Sequence, residues 1–374
     1  MISLKVGITG YTGFIGYHLR YSLIHKYKGY EIIVLGKDDF NNSKKVDSFI
    51  NQSEIIVHLA GINRHKNEDF IYSENLRLAN TLIKSIDKNK FQGKLIFASS
   101  IQQNTDTTYG HAKKQCSELF SRSSIKNNFQ FINLIIPNVF GPFCKPNYNS
   151  FIATFCHNLI NNIDLEVKSE ASVPIIYVDS LIIIIINLFK DANNDQLIEV
   201  NEEYLVKPYQ VKEVLLRFKN DYILNRIMPN FNNSFEKNLF NTLSTYLNIK
   251  QFYPLYNTKH IDERGFFSEV SKINGNAQFS YSITKENITR GNHFHTNKIE
   301  RFTVIDGDAL IKIRKIGSEE VIEFEIKENL PVSIDMIPWH THNITNIGKK
   351  DLVTLFSIND FFDHETPDTY HEIV

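Results

Sequence analysis

Along the first half of the chain, short apolar runs rich in β-branched residues alternate with stretches of helical period. The runs LKVGITG, YEIIVLGK, SEIIVHLAG, GKLIFASS and FQFINLII are nearly continuous in apolar character, as strands are when a parallel sheet is covered on both faces. Between them lie amphipathic segments such as GFIGYHLRYSLIHKY and YGHAKKQCSELFSRS. This βαβ repetition predicts a doubly wound, Rossmann-like α/β domain. Helical segments KPYQVKEVLLRFKNDYIL and SFEKNLFNTLSTYL follow, up to about Leu247. From Tyr253 the pattern shortens to a period of two in FFSEVSKI, AQFSYSIT, ERFTVIDG, DALIKIRKI, EVIEFEI and DLVTLFSI. Such strands predict an all-β sandwich or barrel. The expected boundary is near residue 250, with an N-terminal domain over 1–248 and a β domain over 249–374.

Composition agrees with two soluble domains: the chain has 374 residues, 42% apolar and 22% charged, which is long for a single core. A net charge of −1 gives no general attraction to nucleic acid or to an anionic membrane. The greasiest stretch, Leu181–Phe189 (LIIIIINLF), falls well short of the roughly 20 residues that cross a bilayer. It reads as a buried helix. No signal peptide is visible, because the strand near Ile2 runs straight into a glycine turn. Cys116, Cys144 and Cys156 stand singly, without metal spacing, as reduced thiols do in a cytoplasmic protein.

Candidate chemistry begins at TGYTGFIG, Thr9–Gly16. Glycines at 10, 13 and 16 allow a tight strand-to-helix turn whose backbone N–H groups approach a pyrophosphate. Thr12, Phe14 and Ile15 share that turn and join Gly10, Gly13 and Gly16 as candidate cofactor-binding residues. At the end of the second strand, LGKDD puts Lys37 where an acid would grip a ribose 2′-hydroxyl. A lysine there suits a 2′-phosphate, so NADPH is expected over NADH. YGHAK places Tyr109 and Lys113 on one helical face, after a strand ending in ASS at Ser100. A carbonyl that accepts hydride becomes an alkoxide and needs a proton. A phenol serves best when an ammonium beside it lowers its pKa, and a three-unit drop corresponds to roughly 4 kcal/mol.

With VHLAG (Val57–Gly61), PNVFGP (Pro137–Pro142) and YVDS (Tyr177–Ser180), the N-terminal domain resembles the extended short-chain dehydrogenase/reductase family. That resemblance implies Tyr109 as proton donor, Lys113 as its electrostatic partner and ribose ligand, and Ser100 as hydrogen-bond partner of the substrate oxygen. It adds Leu59, Ala60 and Gly61 to the cofactor site, and Asn138 and Asn149 to the substrate site.

In the β domain, His293, His295, Glu300 and Gly307 keep the spacing HxHx4Ex6G, and His342 with Asn346 the spacing Hx3N. These resemble the two motifs of the cupins. Histidines at alternate strand positions share a face, and with Glu300 and His342 they form a candidate metal site for zinc or another divalent cation. HIDERGFFSE (His260–Glu269) and TRGNHF (Thr289–Phe294) complicate this. They are similar to the nucleotide-sugar 3,5-epimerase branch, in which Arg264 and Arg290 would line the sugar-nucleotide site, His293 would be the catalytic base and no metal would be bound. One nitrogen cannot be both tight ligand and free base, so the two expectations compete at His293. The presence of His295, Glu300 and His342 favours the metal. His340 is then a spare candidate for proton transfer and a substrate contact.

The succession of both patterns, with FCKPNYNSFIATFC at Phe143–Cys156 and FDHETPDTYHEIV at the end, closely resembles a family of capsular-polysaccharide enzymes over nearly the whole chain. The resemblance implies a UDP-linked 4-keto-6-deoxy-N-acetylhexosamine substrate, UDP-2-acetamido-2,6-dideoxy-β-L-arabino-hexos-4-ulose. The cupin would epimerise C3 and the reductase would reduce C4, giving UDP-2-acetamido-2,6-dideoxy-L-talose on the route to UDP-N-acetyl-L-fucosamine. The order is chemically forced, because the C3 hydrogen is acidic only while C4 is a ketone. A homodimer formed partly through the cupin is expected. Two rivals stand beside this: a reductase whose cupin is a metal-stabilised dimerisation module, and a non-catalytic NADP sensor, which the retained Tyr109 and Lys113 disfavour.

Overall fold

The structure, a computed structural model, describes residues 3–190, 196–257, 259–262, 265–268, 270–273, 277–327, 330–360 and 365–374. The chain forms two compact units. The first takes in Met1–Phe140, Cys144–Thr154 and Ala171–Lys207. Its elements run β1 (Leu4–Thr9), α1 (Phe14–His25), β2 (Tyr30–Leu35), α2 (Ser43–Gln52), β3 (Ile55–His58), α3 (Glu68–Asn89), β4 (Lys94–Ser100), α4 (Thr108–Asn127) and β5 (Gln130–Ile136). With the strand Gln196–Glu199 they build a six-stranded sheet in the order β2-β1-β3-β4-β5-(Gln196–Glu199), parallel throughout.

Alternation sorts the strand residues between two cores. Ile55 and Val57 of β3 join Val6, Leu19, Leu134 and Leu181 on one face. Ile56, between them, joins Phe49, Leu82, Phe97 and Phe120 on the other. Burial on both faces is why these strands read as unbroken apolar runs. The Leu181–Phe189 run lies in the helix Val178–Lys190, whose Leu181, Ile182, Ile185 and Phe189 are buried. Among the described residues no helix is long and apolar enough to cross a membrane. The connection from β1 departs to one side and that from β2 returns on the other, so the crevice beyond the C-terminal ends of β1 and β3 is the sheet's topological switch point.

The second unit takes in Gly141–Phe143, Phe155–Glu170 and Pro208–Val374. It is β-rich and cupin-like, with two five-stranded sheets. One runs Leu255–Tyr256, Val332–Met336, Glu300–Asp306, Leu352–Ile358, Gln278–Thr284; the other runs Val321–Ile326, Ala309–Lys315, His340–Asn346, Thr289–Phe294, Tyr370–His371. Phe302, Val304, Ile311, Ile313, Ile334 and Ile344 fill its core. This unit also holds the helices Pro208–Phe218 and Ser234–Ser244, so it begins earlier than the change of period near residue 250.

A buried polar cluster accounts for that. Arg301 and Asp335 face each other across neighbouring strands and pair at 2.6 and 2.9 Å through Nε and Nη2. The Tyr222 hydroxyl donates to Asp335, Tyr253 pairs with Tyr222 at 2.6 Å, and Arg301 Nη1 donates to the Arg226 carbonyl at 3.1 Å. The segment after Pro208 is thereby tied to the sheet. With Arg301 2% and Asp335 1% exposed, removing one partner strands a buried charge. Arg301→Leu is expected to lower unfolding free energy by about 3–5 kcal/mol, read by urea titration. A loss below ~1 kcal/mol, typical of a surface pair, would show that the cluster does not hold the unit together.

Candidate functional site

Beyond β1 the chain can turn into α1 only with glycine. Gly10 has φ +68°, and a Cβ there would come within 2.7 Å of the Ala60 backbone nitrogen. A Cβ on Gly16 would lie 2.2 Å from the Gly10 carbonyl oxygen. Gly13 caps α1 without a side-chain hydrogen bond, which leaves the first-turn N–H groups for an anion. The β3 end is tied in beside it: Thr9 Oγ1 contacts His58 Nδ1 at 2.7 Å and accepts from the Ala60 N–H at 3.2 Å.

A cleft of about 350 Å³ opens at this point. Gly10, Gly13, Phe14, Ile15, Gly16, Leu59 and Gly61 line it, together with Ser100, Tyr109, Lys113, Asn138 and Asn149. Thr12, Ala60 and Lys37 are not in the lining. Ala60 backs the turn through its main chain, and Thr12 and Lys37 are exposed. Beside Lys37, Asp39 folds back to accept from the Gly36 N–H at 2.9 Å and pairs with Lys45 at 2.5 Å.

Ser100 ends β4, and its Oγ accepts from the Gln102 N–H at 3.2 Å. Tyr109 sits in the first turn of α4, which Thr107 caps by accepting from the Gly110 N–H at 3.0 Å. One turn on, Lys113 is buried, donates to the Ala98 carbonyl at 2.7 Å and lies 5.7 Å from the Tyr109 ring centroid. Burial pulls the Lys113 ammonium down to about 8. Burial also pushes the Tyr109 phenol above its ordinary value, followed by Tyr148 and Cys116. In this arrangement burial dominates the phenol, and the Lys113 ammonium is turned toward a carbonyl.

In the second unit, the strand Thr289–Phe294 is bulged. Gly291 pairs with Asn343, and the next partners are His293 and His342, so Asn292 is the extra residue. Asn292 has φ 57° and Gly291 φ 104°, and a Cβ on Gly291 would lie 2.7 Å from the His342 carbonyl. The bulge puts Arg290, opposite Ile344, and His293, opposite His342, on one face despite their odd spacing. Arg290 donates to Thr284 Oγ1 at 3.0 Å.

His293, His295, Glu300 and His342 each offer a ligand atom, all within 4.8 Å of one another. Glu300 Oε2 is 3.4 Å from His295 Nε2 and 3.7 Å from His342 Nε2. His295 Nδ1 donates to the Asp368 carbonyl at 2.7 Å, and His342 Nδ1 to the His340 carbonyl at 3.1 Å. Both contacts set the tautomer that leaves Nε2 as a lone pair directed at the cluster. His342 Nε2 is buried without a hydrogen-bond partner, as expected of an atom that a cation would satisfy. Burial, then the neighbouring His342 and His295, bring His293 down to about 4. Burial alone would lift the Glu300 carboxyl, but contacts from His295 and His342 hold it well below the usual range. Burial would lower His295, but its contact with Glu300 raises it; three imidazoles around one carboxylate fit a divalent cation such as zinc, which would displace that proton.

His340 stands outside the four; its Nδ1 donates to the Pro338 carbonyl at 2.9 Å, and it lies opposite Lys315 in the ladder. Arg264 lies outside the described residues. Sequence reasoning missed Asp368. Its carboxylate accepts from Thr296 Oγ1 at 2.6 Å and from the Asn297 N–H at 2.8 Å, while its carbonyl orients His295. A main-chain carbonyl 73 positions from its partner leaves no side-chain signal to read.

Comparison with known proteins places both units. Residues 6–200 match the NAD dependent epimerase/dehydratase family, and residues 260–370 match the polysaccharide biosynthesis C-terminal domain. A UDP-2-acetamido-2,6-beta-L-arabino-hexul-4-ose reductase from Pseudomonas aeruginosa (strain PA103) is 30% identical over 370 residues, 98% of each chain. The crystal structure of the capsular polysaccharide assembling protein CapF from Staphylococcus aureus is 30% identical, covers 99% of this chain and 100% of its own, and superposes with a TM-score of 0.61. A structure of CapF with the inhibitor 3-isopropenyl-tropolone is 29% identical over 99% and 100% of the two chains, with a TM-score of 0.58.

Proposed function

The chain belongs to the NAD dependent epimerase/dehydratase family, among the CapF-like nucleotide-sugar enzymes, and from that premise we propose a two-step activity. The β-rich unit inverts C3 of UDP-2-acetamido-2,6-dideoxy-β-L-arabino-hexos-4-ulose, and the first unit then reduces C4 with NADPH. The product is UDP-2-acetamido-2,6-dideoxy-L-talose, a precursor of UDP-N-acetyl-L-fucosamine for a capsule or O-antigen. The observation that carries the proposal is the four-ligand cluster, with its orphaned His342 Nε2, in a chain that also holds Ser100, Tyr109 and Lys113 in one cleft.

NADPH, when bound, supplies the hydride for C4. The first turn of α1 holds its pyrophosphate, and Lys113 its ribose. Ser100 and Tyr109 hold the carbonyl oxygen, and Tyr109 gives up its proton as the alkoxide forms. Lys113 then stabilises the phenolate, turning from Ala98 to do so. His293, His295, Glu300 and His342 would hold a divalent cation, which would supply Lewis-acid chemistry to the epimerisation. Arg264 and Arg290 orient the substrate, and His340 carries the C3 proton.

The test is incubation of the UDP-keto-sugar in deuterium oxide with and without NADPH, followed by NMR. Deuterium at C3 without NADPH is expected, as is a C4-reduced product with it. An absence of exchange would leave a reductase whose β-rich unit is structural. One observation favours that second reading: Phe279, Tyr281 and Ile283 are 54%, 73% and 50% exposed along the edge strand Gln278–Thr284, an apolar row that would suit a homodimer contact. Cofactor choice is tested separately. Lys37→Ala is expected to weaken NADPH by about tenfold and NADH by less than about twofold, since only NADPH has a 2′-phosphate to lose a partner. Equal effects, measured by cofactor fluorescence, would make Lys37 an ordinary surface lysine.

A further inference from the structure

His293 and His295 sit on an arm of chain that the segment 366–374 grips along its length. Tyr370 and His371 pair with Phe294 and His293 as an added strand. The Glu372 N–H donates to the Asn292 carbonyl at 2.9 Å, and the Tyr370 ring centroid lies 5.4 Å from that of buried Phe294. At the other end of the arm the contacts converge on Asp368. Its carbonyl takes the His295 Nδ1 proton at 2.7 Å. Its carboxylate accepts from the Thr296 N–H at 3.1 Å, from Thr296 Oγ1 at 2.6 Å and from the Asn297 N–H at 2.8 Å. Lys298 Nζ donates to the Pro367 carbonyl at 2.9 Å. Every residue from Asn292 to Lys298 is therefore in contact with this segment. The segment is fixed in turn to the strands behind it, where Arg314 pairs with Glu372 at 3.1 Å and the Thr341 hydroxyl donates to the Glu372 carbonyl.

The three imidazoles of the cluster differ in what sets them. His342 Nδ1 donates to the His340 carbonyl, and His293 bonds the backbone of Gly291, each two residues back on its own strand. His295 is the exception, because its Nδ1 partner lies 73 positions on. An imidazole without that partner can turn, or shift its proton, and meet the cluster with a donor in place of a lone pair. We propose that Asp368 is a positioning residue of the metal centre, and that segment 366–374, seated through it, is a clasp whose seating and cation binding are one coupled equilibrium. The inference rests on the metal reading of the cluster given above. Asp368 acts through His295 and not as a ligand. Its carboxylate closes on the turn that follows His295, which holds its own carbonyl against Nδ1. Its φ of 42° lies in the left-handed region, which Asp and Asn enter more readily than other side chains. A cation that needs His295 Nε2 favours the seated segment, and the seated segment tightens the cation by the same factor.

The test uses the full chain, stripped of metal and titrated with Zn²⁺ against a chromogenic chelator. Wild type is compared with Asp368→Asn, Thr296→Val and Thr296→Ser. Asp368→Asn keeps the main-chain carbonyl and tolerates the same φ, but loses the charge and half of the acceptors. Zn²⁺ affinity is expected to fall by about tenfold or more in Asp368→Asn and in Thr296→Val, the range of lost outer contacts at metal sites. Thr296→Ser should bind like wild type, because the hydroxyl that Asp368 accepts from remains. A packing effect would give the reverse order, since serine is the smaller residue. Hydrogen exchange supplies the reciprocal measurement. Zn²⁺ should slow exchange of the 365–374 amides of wild type by about the factor by which Asp368→Asn weakens Zn²⁺, and should slow those of Asp368→Asn far less. NADPH affinity, a property of the other unit, should hold throughout. Variants that bind Zn²⁺ like wild type, a serine variant as weak as the valine one, or amides indifferent to Zn²⁺ would overturn the proposal. If wild type takes up Zn²⁺ and the variants match it, the clasp fails alone. If wild type takes up none, the metal reading fails and the coupling falls with it.

Discussion

Tyr109→Phe is expected to abolish NADPH oxidation on the keto-sugar while C3 exchange with solvent continues at the wild-type rate. The phenol oxygen is the only atom removed, and in the proposed chemistry it serves the C4 alkoxide alone. General-acid contributions of this kind are typically worth 10²–10⁴-fold, so reduction should fall by about a thousandfold or more. NADPH affinity should hold, since Lys113 and the α1 turn remain. Lys113 gives the companion pH profile. Its ammonium is drawn down to about 8 by burial, so it is charged below that pH and neutral above it. The phenolate loses its counter-charge as pH rises through about 8, and kcat/KM for reduction should fall there. Reduction by Tyr109→Phe at near the wild-type rate would show that another group donates the proton.

The first unit was more legible than the second because its signals are local. The central strands β3, β4 and β5 are buried on both faces and announce themselves by composition, and Gly10 and Gly16 answer to clashes within a single turn. Tyr109 and Lys113 are one helical turn apart, so their shared face follows from α4 alone. The cluster in the β-rich unit was legible in residue type, since His293, His295, Glu300 and His342 do converge. What positions them was not. The bulge at Asn292 depends on a close approach by the neighbouring strand, which no periodicity encodes. The Asp368 carbonyl arrives from a tail whose short strand Tyr370–His371 pairs beside His293. The placement of Pro208–Phe218 turns on Tyr222 meeting Asp335, 113 residues away.

The competition at His293 is decided by comparing two variants. His293→Ala and His295→Ala are expected to behave alike, each losing bound metal and C3 exchange together. The structure offers a reason to expect matched losses. His293 is not set apart as a solitary base would be: its ring centroid is 4.8 Å from that of His342 and 5.1 Å from that of His295, and its ligand nitrogen converges with theirs on Glu300. A base that must cycle a proton gains nothing from two neighbouring imidazoles that disfavour its charged form, whereas a cation requires such neutral donors. Removing one of four ligands weakens binding steeply, so metal content after dialysis should fall below about a tenth of wild type. A tropolone chelator added to wild type should likewise stop exchange. Reduction of a keto-sugar already of the right C3 configuration should persist in both variants and in the chelated enzyme, because Ser100, Tyr109 and Lys113 belong to the other unit. If instead His293→Ala abolishes exchange with metal content intact, and His295→Ala keeps most of the exchange, His293 is a free base and the cation is not part of the chemistry. Elemental analysis beside the deuterium assay distinguishes the two, because only the ligand arrangement couples metal loss to exchange loss at both positions.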